Sequence, residues 1–194
     1  MENNSLEKLV KEWLIAEPTA AEQASEYYCD SRTIFQSRLD RLTSELSQKG
    51  ILKDNLEYLI SAVVGEIGNN SFDHNIGNWP DVKGVFFGSE MTDDIIRIIL
   101  ADRGLGLFAT LKRVKPELSD DKDAMRVGFI ERISGRAPEP RGNGLKFVRE
   151  SVRGYKMHLT FYSGYAKGDF NEDMVIIENT EKIAGCMAIL TLNI

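Results

Sequence analysis

The order of the secondary-structure signals is the feature of this 194-residue chain that most constrains its fold. Helical periodicity dominates the first part and predicts helices at 6–15, from Thr19, at 31–48 and from about residue 54. The β-rich runs come later, at 82–89, 95–101, 157–163, 174–178 and 186–194. Helices followed by strands in hairpin order predict an α+β fold. We expect a two-layer sandwich in which helices cover one face of a mixed, largely antiparallel sheet.

Local signals mark several helix ends. Thr19 and Glu22 form a possible capping box for the second helix. Gly50 can end the third helix in a left-handed conformation. The segment 107–140 has lower propensity and predicts broken helix and loop, whereas 144–153 is again helical. We divide the chain into an N-terminal helical extension, residues 1–50, and a second domain, residues 51–194.

Composition and charge argue against several classes of function. The net charge is −6, from 30 acidic and 24 basic residues, which disfavours a broad surface for nucleic acid or an anionic membrane. Cys29 and Cys186 have no partners at metal-ligand spacing, as is typical of a reduced cytosolic protein. The start has no basic and apolar leader, and no apolar run approaches the roughly 20 residues of a membrane span. We therefore expect a cytoplasmic protein that binds neither nucleic acid nor membrane.

The predicted helix that begins near residue 54 becomes polar towards its end. Its apolar residues follow helical spacing: Leu56, Leu59, Ile60, Val63 and Ile67. The stretch EIGNNSFDHN, residues 66–75, then brings acids, amides and a histidine. On a helical wheel Glu66, Asn70 and Asp73 lie within about 60° of one another, beside the apolar stripe. Either this is a solvated helix end, or it is a site where oxygens hold Mg²⁺ and a carboxylate acts as a base toward water.

A second candidate site follows the predicted strand at 95–101. The stretch ILADRGLGLFA fits G-x-G-x-x-A, the Rossmann fingerprint. That interpretation requires another strand ending in an acid about 20 residues later. The sequence there, VKPELSDDKDAM, does not predict a strand. Alternatively, Asp102 accepts a hydrogen bond from an exocyclic amino group of a base, and Gly104 and Gly106 let the backbone approach that base.

A third candidate site precedes the predicted helix at 144–153. In SGRAPEPRGNGLKFVRESV, two arginines and two prolines come before glycines and an asparagine that open the helix. Backbone N–H groups at a helix start can bind phosphate, although a plain helix start gives the same pattern. The chain contains no G-x-x-x-x-G-K-[ST] sequence, which excludes a P-loop.

The three segments, taken in this order, resemble the motifs of the GHKL nucleotide-binding family, which includes gyrase B, heat-shock chaperone ATPases, histidine kinases and MutL. Glu66-x-x-x-Asn70, with Asp73 and His74 after it, resembles the N box. Asp102-Arg103-Gly104-Leu105-Gly106 matches the D-x-G-x-G box. Gly142-Asn143-Gly144-Leu145, followed by Val148, matches the G-x-G-L-x-x-V box. The resemblance covers roughly residues 52–194 and implies that 51–194 is an ATP-binding domain with the Bergerat fold of that family.

The resemblance also implies a role for each matched residue. Asn70 would be the Mg²⁺ ligand, Glu66 the general base that activates water, and Asp102 the acceptor for the adenine amino group. The other matched residues would lie around the ATP: Asp73, Gly104, Gly106, Gly142, Asn143, Gly144 and Leu145. We add Arg136 and Arg141 as candidates to reach the γ-phosphate from a mobile lid predicted between residues 107 and 141, although the family motifs do not fix them.

Three functions remain open at this point. The first is a slow Mg²⁺-dependent ATPase or ATP-gated switch that acts on a partner protein. The second is a protein serine kinase of the anti-sigma-factor type, and the third is a nucleotide-binding module without catalysis. Self-phosphorylation on histidine is disfavoured because His74 lies in the N box and His158 in a predicted strand. The N-terminal helices are candidates for contact with a protein partner or a second copy of the chain.

Overall fold

The computed structural model describes residues 6–23, 26–132 and 143–194 as an α+β protein. The helices in these ranges are α1 (Leu6–Ile15), α2 (Pro18–Gln23), α3 (Arg32–Lys49), α4 (Leu56–Asn75), α5 (Gly106–Lys112), α6 (Asp121–Ile130) and α7 (Gly144–Gly154). The strands are β1 (Tyr28–Cys29), β2 (Val85–Met91), β3 (Ile95–Asp102), β4 (His158–Phe170) and β5 (Met174–Asn193). They form one sheet in the order β1-β2-β3-β5-β4. The predicted α+β class is confirmed.

All pairings among the described strands are antiparallel, where a mixed sheet was expected. β5 is one strand of 20 residues, so the prediction of two separate strands at 174–178 and 186–194 is wrong. The reason is that β4 continues beyond Ser163 and keeps pairing with β5 across an irregularity at Gly164. The predicted end of α3 is confirmed, since Gly50 has φ 61° and its N–H bonds to the carbonyl of Ser47.

The main core lies between one face of the sheet and helices α3, α4, α6 and α7. Strand residues that point to this face include Phe87, Ile98, Leu100, Leu159 and Leu190. The helices contribute Phe35, Leu39, Ile60, Val63, Phe129, Val148 and Val152. α4 and α7 lie against one another over this face, so their polar residues are held by apolar packing below them. This packing brings two of the predicted motifs together.

A second, smaller core lies on the opposite face of the sheet. Leu6, Val10, Trp13 and Leu14 of α1 pack there against strand residues Phe86, Ile99, Ala101, Met187 and Ile189. These strand positions alternate with those of the main core, as the side-chain period of a strand requires. Helices therefore cover part of both faces, not one face as expected. Residues 6–15 and 32–49, both in the predicted extension, pack on opposite faces of the sheet.

The length and composition of the helices bear on whether one of them could cross a membrane. None of the helices in the described parts of the chain is both long enough and apolar enough to cross a bilayer. The longest, α4, has 20 residues but ends in the polar stretch.

Candidate functional site

The last turns of α4 hold the loop that joins β3 to α5. The Ser71 hydroxyl donates a hydrogen bond to Oδ2 of Asp102 at 2.7 Å. One turn later, Oδ1 of Asn75 accepts the backbone N–H of Leu105 at 2.9 Å. The Asn75 amide group also donates to the carbonyl of Ser71 at 2.8 Å, which fixes its own orientation. The loop from Asp102 to Gly106 is therefore positioned by side chains of the helix that carries the N-box-like motif.

The Asp102 carboxylate is buried at the end of β3. Its side chain is 2% exposed, and Oδ1 accepts the backbone N–H of Gly104 at 2.8 Å. Burial raises the pKa of Asp102, while hydrogen bonds from Ser71 and from the backbone of Gly104 and Cys186 act in the opposite direction. These donors occupy part of the acceptor capacity of a carboxylate, which has about four lone-pair sites.

Three glycines allow the close packing around Asp102. A Cβ atom on Gly104 would overlap the side-chain amide of Asn75. Gly106 has φ 76°, a left-handed conformation that strongly favours glycine. Gly185 on β5 has φ 75°, and a Cβ atom there would overlap the backbone carbonyl of Asp102. The two glycines of the D-x-G-x-G-like motif thus have distinct steric reasons to be glycine.

Ser163 of β4 also stabilises the region around this loop. The Ser163 hydroxyl accepts the backbone N–H of Leu107 at 2.9 Å, and donates to the carbonyl of Gly185 at 3.1 Å. Leu107 lies in the first turn of α5. Ser163 is 1% exposed, so both of these hydrogen bonds are shielded from water. The hydrogen bond between Leu107 and Ser163 therefore holds the start of helix α5 in place.

The start of α7 lies against the middle of the polar stretch of α4. A Cβ atom on Gly144 would come within 2.6 Å of Oε2 of Glu66 and 3.3 Å of Nδ2 of Asn70. Glu66 is exposed and Asn70 is half-buried. The side chain of Asn143 makes no capping hydrogen bond to this helix start. Residues from two predicted motifs that are far apart in the sequence therefore lie in close contact.

Asp73 has a different environment from Glu66 and Asn70. It forms an ion pair with Arg32, which begins α3. The guanidinium group of Arg32 also lies over the ring of Phe72, with its central carbon 6.0 Å from the ring centroid. The structure thus places Asp73 at the junction of α3 and α4, although the helical wheel grouped it with Glu66 and Asn70. Its predicted role in nucleotide binding stays a prediction.

Some of the remaining predicted site residues lie within the described segments, and others lie outside them. Asn143 is exposed at the start of α7, and Leu145 is half-buried against the main core. Arg136, Arg141 and Gly142 lie outside the described residues. The described part of the predicted lid, 107–132, contains α5 and α6, and Phe129 of α6 stacks on Phe170 at 4.2 Å between ring centroids. The predicted mobility of the lid stays a prediction.

Sequence reasoning missed four residues of the site: Ser71, Asn75, Ser163 and Gly185. Ser71 and Asn75 had a usable signal, because they lie one helical turn apart within the polar stretch. Ser163 and Gly185 had none, since they reach the site only through the register of the sheet. β5 pairs with β3 so that Cys186 is opposite Asp102, and with β4 so that Cys186 is opposite Ser163.

The residues near Gly144 can be tested for their fit to Mg²⁺. Within the described ranges no group of three or more His, Cys, Asp or Glu side chains is placed to hold a metal ion. Mg²⁺ that is bound together with nucleotide phosphates needs only one or two protein oxygens, because phosphates and waters supply the rest. The Asn70 amide and the Glu66 carboxylate beside Gly144 are oxygen donors of that kind.

The chain was compared with models of protein families and with curated proteins. A scan against models of protein families finds no match for this chain. A search of curated proteins finds no match either.

Proposed function

We propose that this protein binds Mg²⁺-ATP in the manner of GHKL nucleotide-binding proteins, on a Bergerat-type sandwich, and acts as a slow ATPase or ATP-gated switch on a partner protein. The observation that carries the proposal is the convergence of three motifs on one helix. α4 contacts the Asp102 loop through Ser71 and Asn75, and the start of α7 through Glu66 and Asn70. In this proposal the end of α4 near Asp102 binds the base, and the part near Gly144 binds the phosphates.

The base end is the buried Asp102 carboxylate. Its fixed oxygens favour a ligand that presents a hydrogen-bond donor, and adenine presents its exocyclic amino group. Guanine presents a carbonyl oxygen at the corresponding position and would face the carboxylate with an acceptor. A site built around one hydrogen bond discriminates strongly against an analogue that cannot make it, because the buried group is then left unpaired. We therefore expect ATP to bind more tightly than GTP.

The phosphate end is the space between α4 and the start of α7. The first N–H groups of a helix have no intrahelical partners and favour anions. Gly144 has no side chain beside them, and the end of the flexible Glu66 side chain, which lies close to it, would have to move aside for phosphate. With phosphates there, Asn70 would hold Mg²⁺, and the bound ion would neutralise phosphate charge. The proposal therefore depends on the small size of Gly144 as well as on the side chains around it.

Glu66 is the candidate base for chemistry at this end. Its carboxylate is exposed and lies one helical turn from Asn70, so both side chains can approach a terminal phosphate from the same side. Glu66 would accept a proton from the attacking water, and Asn70 would orient the phosphate group. Positioned base catalysis of this kind contributes about 10²- to 10⁴-fold to a rate.

Calorimetric titration with Mg²⁺-ATP and Mg²⁺-GTP, followed by assays with labelled ATP, tests the proposal. We expect ATP to be preferred and slowly hydrolysed, with turnover abolished and affinity nearly kept in Glu66→Gln. Asn70→Ala should instead weaken binding in a Mg²⁺-dependent way. Equal affinity for the two nucleotides would overturn the adenine assignment.

The same assays distinguish the alternative functions. Transfer of label to a serine of a partner protein, without hydrolysis, would identify a kinase of the anti-sigma-factor type. Tight binding with neither hydrolysis nor transfer would identify a binding module without catalysis. A Glu66 variant as active as the wild type would show that this carboxylate is not the base.

A further inference from the structure

We infer that Arg103 couples the docking of the N-terminal segment, residues 6–16, to the conformation of the loop 102–106. Arg103 is then a positioning residue for the proposed nucleotide site. The nucleotide readout of this inference rests on the proposed function, but its conformational readout does not. The D-x-G-x-G-like motif leaves the position of Arg103 open, so the motif itself assigns it no role.

Arg103 follows Asp102 directly and is buried, with 8% of its surface exposed. Its Nη1 donates hydrogen bonds to the carbonyls of Trp13 at 3.2 Å and Ala16 at 2.6 Å. Its Nη2 forms an ion pair with Asp81, in the connection between α4 and β2. One guanidinium group therefore joins the loop of the candidate site to the end of α1.

The carbonyls that Arg103 binds belong to the C-terminal end of α1. The last carbonyls of a helix have no intrahelical partners, and a cation near them interacts favourably with the helix dipole. Trp13 fixes this end on the sheet, because its ring is 3% exposed and its Nε1 donates to the carbonyl of Ala21 at 3.1 Å. If the N-terminal segment left the sheet, Arg103 would lose two of these three partners.

The apolar packing of α1 is separate from that of the main core. Val10 and Trp13 belong to the smaller core on the outer face of the sheet, not to the main core beneath α4 and α7. The smaller core can open while the main core stays folded, because different segments of a protein open with different free energies. After undocking, Arg103 keeps Asp81 as a partner but loses the two carbonyls, so we expect its side chain and the loop next to Asp102 to change conformation.

Coupling between two equilibria is reciprocal. Docking of the segment then favours the loop conformation that presents Asp102, and a nucleotide held by Asp102 favours docking of the segment. A purely structural role for Arg103 gives a different result. The variants would then change the stability of the fold and leave both the loop and the nucleotide affinity of the folded protein unchanged.

The test uses Val10→Asp to undock α1 from the sheet, since Val10 is fully buried there. Hydrogen exchange of the full chain without nucleotide should show faster exchange at residues 102–106 as well as at 6–16. The dissociation constant for Mg²⁺-ADP should rise about tenfold, within the range usual for allosteric coupling. In an Arg103→Gln background, Val10→Asp should have no further effect on the loop or on the affinity.

Arg41→Gln is the matched control, because Arg41 forms an exposed ion pair with Glu45 within α3, away from the loop. If Val10→Asp or Arg103→Gln fails to fold, Val10→Ala and Arg103→Lys give the same comparison with smaller changes. Exchange at 102–106 that is unchanged by undocking overturns the inference, as does an equal effect of Val10→Asp with and without Arg103. A wild type that does not bind Mg²⁺-ADP refutes the proposed function, and the exchange data then decide this inference alone.

Discussion

The two ends of the polar stretch of α4 differ in what satisfies their side chains. At the far end, Ser71 and Asn75 are engaged by Asp102 and by the backbone of Leu105, within the protein. Nearer the middle, Glu66 and Asn70 lie against Gly144, and Glu66 is exposed. The first end is organised by contacts within the protein, whereas on the proposed function the second is completed by Mg²⁺ and phosphates. Substitutions at the two ends should therefore differ in whether they affect stability or binding.

The largest expected effect is at Gly185, which packs against the organised end. Gly185→Ala places a Cβ atom on the backbone of Asp102 and Gly104 at a left-handed φ of 75°. We expect the free energy of unfolding to fall by roughly 2–4 kcal/mol, from overpacking and backbone strain together. Urea denaturation measures this change. Gly154→Ala is the control, since nothing lies within 4 Å of its Cβ position; a similar loss there would remove the contrast.

Asp102→Asn sharpens the comparison, because it changes ligand recognition at the organised end while keeping the shape of the side chain. The amide can still accept from Gly104 and contact Ser71, so the fold should persist. An amide nitrogen then faces the adenine amino group. We expect ATP affinity to fall by about 10- to 150-fold, equivalent to roughly 1.5–3 kcal/mol. Calorimetry that finds wild-type affinity in this variant would show that Asp102 does not bind the base.

The pH dependence of stability tests whether Asp102 is in the environment described. Burial raises the pKa of Asp102 in the folded state, so the folded protein binds this proton more tightly than the unfolded chain does. The associated stability is fully present below the unfolded pKa of about 3.9 and is lost as pH rises through the folded pKa. Relative to Asp102→Asn, the wild type should lose stability as pH rises from about 4. Denaturation of both proteins across pH would show a constant or opposite difference if the carboxylate were well solvated or ion-paired.

The smallest effect on stability is expected at Gly144. The added Cβ of Gly144→Ala meets the end of the flexible Glu66 side chain, which can turn away into solvent. We expect the free energy of unfolding to change by less than about 1 kcal/mol. Mg²⁺-ATP should nevertheless bind more weakly, because the methyl group occupies space assigned to phosphate. Unaltered affinity by calorimetry would mean that phosphates do not lie beside Gly144.

Local sequence signals predicted a large part of this fold. The end of α3 at Gly50 and the strand that ends at Asp102 follow from glycine conformation and apolar patterning. The meeting of Glu66 with Gly144 was expected only from the order of motifs, and the structure supplies the contact. Ser163 and Gly185 could not be predicted, because sheet register brings them to the loop. Nor could the bonds of Arg103 to α1, since they depend on which face of the sheet the helix covers.

The central claim is that one nucleotide spans both ends of the polar stretch of α4. A crystal structure of the protein soaked with Mg²⁺ and a non-hydrolysable ATP analogue tests it most directly. The account predicts an adenine amino group within hydrogen-bond distance of Asp102, Mg²⁺ on the side chain of Asn70, and phosphates beside Gly144. A nucleotide bound away from Asp102, or no nucleotide at saturating concentration, would contradict it.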